Sequence, residues 1–141
     1  MTSLRRIALA ALPATALMGG ALMAGAGLAW AEPISGVWTG SFKQSNEPGS
    51  YAVAIDFSRA PATIDYADQS CGGTLQKVGE KGSTSFYVET ITRGGVDPAT
   101  GHGCLNGNVI LIKSGDALAW GWIGEHKGQA LSATAILARK P

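Results

Sequence analysis

Glu89, in the run "TSFYVETITR", is the carboxylate whose placement could do chemistry, because it shares a period-two face with Tyr87 and Ile91. If that face is the inner one, an acid stands among apolar neighbours and needs a partner. Arg93 or Lys113 is the candidate counter-charge, giving a buried ion pair or a polar anchor for a ligand. If instead Phe86 and Val88 form the buried face, Glu89 lies in solvent. Trp120 and Trp122, two residues apart beside Leu118, project from one face of a strand. They suit either a packed core or a binding wall, in a cavity or as an exposed aromatic strip for a sugar or a protein partner. Tyr66 falls in phase with Ile64. The candidate ligand-binding residues are therefore Tyr66, Glu89, Trp120 and Trp122.

Patterns that announce catalysis do not occur. There is no G-x-S-x-G, H-E-x-x-H, P-loop, Rossmann glycine run or EF-hand loop. The two histidines, His102 and His126, lie in expected turns. His102 with Asp97 in "VDPATGHGC" could form a loop dyad or, with Cys104, a partial metal site. An ordinary polar loop accounts for the same residues, since ligand-bearing loops usually carry more carboxylates or histidines. The expectation is a non-enzyme with no catalytic residue, no metal and no cofactor.

The compartment is read from the first residues. Arg5 and Arg6 precede an uncharged stretch from Ile7 to Ala31, ending in the A-x-A pattern Ala29-Trp30-Ala31. That is the layout of a secretory signal over residues 1–31, cleaved after Ala31. The alternative is an uncleaved anchor, as the stretch is long enough to span a bilayer, although Gly19, Gly20, Gly25 and Gly27 dilute it. The adjacent arginines leave Sec and twin-arginine export both open. Removing Arg5 and Arg6 from eleven Lys and Arg leaves nine against ten Asp and Glu, a mature charge of minus one. Charges so scattered make neither a nucleic-acid stripe nor a polybasic membrane patch. The expected locations are the periplasm or the exterior. The two cysteines, Cys71 and Cys104, then most simply form one disulfide.

The elements that must position these residues are strands. Beyond residue 31 apolar residues alternate with period two and are interrupted by turn chemistry. The expected strands are 36–44, 51–57, 62–68, 71–78, 84–93, 108–113, 117–124 and 129–140. Short turns are expected at "GEKGS", "SGD" and "EHKG", and one long loop at "GGVDPATGHG". Eight strands joined this way predict an all-β, up-and-down antiparallel barrel over residues 32–141 as a single domain, with a β-sandwich as the alternative.

On this pattern "GVWTGSF", with Gly36-x-Trp38 on the first of eight strands, resembles the opening of the calycin barrels, which include lipocalins, fatty-acid-binding proteins and avidins. The resemblance implies a structural Trp38 closing one barrel end, with a basic residue of the last strand against its ring. Arg139 in "ILARK" is the matching position. The order G-x-W-x-G (36–40), C-G-G-x-L (71–75), Y-x-E-x-I (87–91), C-x-x-G-x-V-x-L (104–111), L-x-W-x-W (118–122) and A-x-L-x-R (135–139) is similar to a small secreted bacterial domain. That domain is also found at the extracytoplasmic end of some serine/threonine kinases. The likeness implies fold, disulfide and compartment and supplies no substrate. The functional expectation is an exported binding module for a small apolar or amphipathic ligand or a protein partner. The alternative is a secreted or periplasmic hydrolase inhibitor, for which only Glu32-Pro33-Ile34-Ser35 would serve as the N-terminal trunk.

Overall fold

The computed structural model describes residues 32–141; the expected signal and its cut lie outside the described residues. Eight strands run in chain order: β1 (Val37–Gln44), β2 (Ser50–Asp56), β3 (Ala62–Tyr66), β4 (Cys71–Lys81), β5 (Thr84–Arg93), β6 (Gly107–Ser114), β7 (Ala117–His126) and β8 (Gln129–Arg139). Each pairs antiparallel with its neighbour, and β1 pairs with β8 through Trp38↔Arg139 and Gln44↔Ala133, so the sheet closes. Closure removes both free edges and excludes the sandwich.

Alternation decides which side chains enter. Trp38, Ile55, Leu75, Leu111, Leu118 and Leu137 are fully buried inside the barrel, one from each of six strands. The interior of an eight-stranded barrel is narrow enough for such residues to fill. On β8 the alternation is complete: Leu131, Ala133, Ala135 and Leu137 point in, and the residues between them point out. The alanines, good helix formers, are held in a strand because each fits under a large cross-strand partner: Ala133 lies opposite Trp122 and Ala135 opposite Trp120.

Three boundaries differ from the sequence expectation by two residues or more. The chain leaves β3 at Tyr66 because Ala67–Gln69 form a single 3-10 turn, in which the Asp68 carboxylate accepts the Ala52 N–H at 2.6 Å. β4 and β7 run on through the expected turns "GEKGS" and "EHKG", leaving two-residue hairpins. At the second of these Lys127 and Gly128 both adopt positive φ, +52° and +79°. That geometry matches the twist of the flanking strands, so polar residues beside it remain paired.

The barrel has two unlike ends. At the base lie the hairpins β4–β5 and β6–β7 and the segment leading into β1; at the mouth lie the β1–β2 turn, the 3-10 turn, the β5–β6 loop and the β7–β8 hairpin. The disulfide Cys71–Cys104 ties the β5–β6 loop to the start of β4, Cα to Cα 6.2 Å. No helix among the described residues is long and apolar enough to cross a membrane.

Candidate functional site at the barrel mouth

Three strands bring the four expected ligand-binding residues together. Tyr66 ends β3, Glu89 is central on β5, and Trp120 and Trp122 come from β7; all are buried. Glu89 is only 1% exposed, so the inner-face reading of β5 holds. The Tyr66 hydroxyl donates to Glu89 Oε1 at 2.8 Å, and Oε2 has no hydrogen-bond partner. The Trp120 indole N–H is likewise buried and unpaired. Such orphans are rare in folded proteins and each calls for an explanation.

The expected counter-charges do not reach Glu89. A register shift places Gly73 opposite Ile91 but Gly72 opposite Arg93, so β5 carries an extra residue there. The shift breaks the alternation and turns Arg93 outward, where it pairs with Asp65 and donates to the Cys71 carbonyl at 3.3 Å. Lys113 lies toward the base and pairs with Glu32 at 3.0 Å. Glu89 therefore has a phenol for a partner in place of a cation.

Burial dominates its titration. Desolvation pushes the Glu89 carboxyl up to about 7, against the Tyr66 hydrogen bond, which favours the charged form. The Trp122 indole also favours that form, without completing a bond to Oε2. Burial and the nearby carboxylate hold the Tyr66 phenol well above its ordinary range, so it serves as a donor throughout the neutral range.

Above these groups a cavity of about 100 Å³ opens at the mouth, lined among others by Phe42, Glu47, Tyr66, Glu89, Trp120 and Trp122. Phe42 and Tyr66 meet edge to face, ring centroids 5.5 Å apart, and Phe42 lies 5.6 Å from Trp120. Trp120 and Trp122 are thus core residues that also line the cup, and neither forms an exposed strip. Trp122 reaches this position across two glycines: a Cβ on Gly107 would stand 2.2 Å from its Nε1, and one on Gly124 2.4 Å from its Cη2. Only residues without a side chain leave that path open.

Outside the cup a wider cleft of about 290 Å³ carries His102 and His126 on its wall. Asp97 does not meet His102 through its carboxylate. Asp97 Oδ1 accepts the Ala99 N–H at 2.8 Å, its backbone N–H donates to the His102 carbonyl, and Cys104 is held in the disulfide. Among the described residues no cluster of three or more metal-ligating side chains forms.

Trp38 and Arg139 stand at the opposite end. The Trp38 indole N–H donates to the Ser35 carbonyl at 3.0 Å, and Arg139 donates to the Ser35 hydroxyl at 3.1 Å. The guanidinium lies over Gly36, whose φ is +77°. Sequence reasoning missed Phe42 and Glu47 at the cup. Phe42 was detectable, since it lies four residues from Trp38 on the same strand face; Glu47 sits in a turn, where no period applies. It also missed the apolar outer face of β4 to β8, where Val78, Phe86, Val88, Ile110, Ile123 and Ile136 are exposed.

Comparison with protein-family models, with curated proteins and with solved structures finds no match.

Proposed function

We propose that the protein is an exported, non-catalytic barrel that holds a small apolar or amphipathic ligand in the mouth cup. The observation carrying this reading is the pair of buried, unpaired polar atoms, Glu89 Oε2 and Trp120 Nε1, on residues that line the same aromatic cavity. A fold tolerates such groups where something outside the chain completes them. The tyrosine bond fixes the orientation of Glu89, which suits holding a ligand. Export is supported by the signal-like residues 1–31 and the Cys71–Cys104 bond. The calycin likeness of "GVWTGSF" and Arg139 belongs to the same reading.

The test is native mass spectrometry of the purified protein beside Ala133→Leu, which adds bulk at the cavity wall. A co-purified adduct present in the parent and absent in the variant is expected. An adduct retained by the variant, or a thermal-shift panel of small amphiphiles that leaves Tm unmoved, would sink the proposal.

A second reading, a protein partner, draws on the exposed outer face of β4 to β8. A contiguous apolar patch of several hundred Å² often marks an interaction surface. The inhibitor alternative gains nothing from the N-terminal trunk, because Glu32 and Ser35 are tied to Lys113, Trp38 and Arg139 at the base.

A further inference from the structure

The cup has a definite electrostatic character. Its wall carries two carboxylates, Glu47 and Glu89, with the amides of Gln44 and Gln69, and among the described residues neither lysine nor arginine lines it. Four aromatic rings, Phe42, Tyr66, Trp120 and Trp122, and the side chain of Leu105 supply most of its apolar wall. Aromatic rings give such a wall a large apolar surface suited to alkyl carbons, while the sign of the site is set by its carboxylates. The acceptor without a partner is a carboxylate oxygen at the bottom of this enclosure. A buried carboxylate is stabilised by a positive donor far better than by a neutral one.

Resting on the ligand-binding reading above, we infer that the cup recognises a primary ammonium group on a short alkyl chain, with Glu89 Oε2 accepting from the ammonium and the aromatic rings enclosing the alkyl carbons. The size follows from the cavity. About 100 Å³ is less than the ~150 Å³ void known to admit benzene, and it suits a ligand head of about four heavy atoms, with any remainder of the molecule emerging into the wider cleft. The Trp120 indole N–H is then available to an acceptor on the same molecule.

Recognition of this kind requires an ionised Glu89. Its titratable surroundings are few: Tyr66 from β3 and Glu47 from the β1–β2 turn line the cup, while Cys104 is in the disulfide. His102 and His126 face the outer cleft. Burial raises the Glu89 carboxyl to about 7, so affinity for a cation is full above that pH and falls as the acid takes its proton.

The experiment titrates the purified protein with n-propylammonium and with n-propanol, which matches it in heavy atoms and lacks the charge. The readouts are calorimetry and the indole N–H resonances of Trp120 and Trp122. Propylammonium is expected to bind at pH 8, to lose roughly tenfold or more in affinity by pH 5.5, and to shift both indole resonances. Glu89→Gln should abolish this binding and its pH dependence, which separates Glu89 from the two histidines. The pH contrast on the unsubstituted protein carries the test if that variant fails to fold. Equal binding of n-propanol, or affinity that is flat or rises toward acid, overturns the cationic assignment and leaves the cup as a site for neutral ligands. Failure of both probes to move the indole resonances also overturns it, whereas the adduct comparison and the thermal-shift panel decide whether the cup binds anything.

Discussion

The two ends of this barrel use the same kinds of residue to opposite effect. At the base an indole and a guanidinium are both satisfied by one short segment: Trp38 donates to the Ser35 carbonyl and Arg139 to the Ser35 hydroxyl. At the mouth another indole, Trp120, and a carboxylate, Glu89, are buried as deeply as Trp38, and each leaves an atom unpaired. The base is finished by the chain itself, and the mouth is not. The difference is that the polar groups of one end stabilise the fold, and those of the other cost it stability in the absence of a ligand.

If that contrast is right, substitutions at the two ends separate cleanly. The largest effect is expected from Trp38→Ala, which should destabilise by about 3 to 5 kcal/mol in denaturant unfolding, as for other buried aromatic truncations. Loss of ligand binding with unchanged melting would make Trp38 a recognition residue and break the contrast. Next, Cys71→Ser with Cys104→Ser should cost about 3 to 4 kcal/mol on the chain-entropy account of a 33-residue separation. Hydrogen exchange should show the β5–β6 loop opening while the base hairpins stay protected; uniform loss of protection would deny the mouth its separate character.

A slightly smaller effect is expected from pH. The folded-state carboxyl of Glu89 is raised above its ordinary value, so the folded form holds the proton more tightly than the unfolded chain. Its contribution is fully present below about pH 4.5 and is lost as pH rises through about 7, at most about 3 kcal/mol. Glu89→Gln should flatten this slope and melt higher than the parent at pH 8; an unchanged slope would place the titration elsewhere. The smallest effect is Arg139→Ala, a shift of about 4 °C or less, since the guanidinium is exposed. A larger fall would give Arg139 a share in the core that its exposure does not suggest.

Much of this was legible before the structure. Alternation gave the strands and the shared face of Leu118, Trp120 and Trp122; that this face is the inner one follows from closure of the barrel, which buries one whole face of every strand. The same periodicity left Glu89 undecided, since both faces of β5 carry apolar residues and burial depends on neighbours far along the chain. The partner of Glu89 could not be read at all. Arg93 looks correct at i, i+4, and only the register shift against Gly72 and Gly73 sends it outward. Tyr66 lies 23 residues away, and no local spacing joins it to Glu89. The β4 and β7 ends were missed for a simpler reason: charged residues on the outer face of a strand resemble a turn.

Gly107 and Gly124 give the mouth a property of their own. Because the Trp122 indole occupies the space where two side chains would otherwise be, these glycines act as the aperture stops of the cup. A methyl at either position leaves every charge in place and forces the ring to move. If the cup holds a ligand as proposed, selectivity by size is thereby set on β6 and β7, separately from the carboxylate that Glu89 carries on β5.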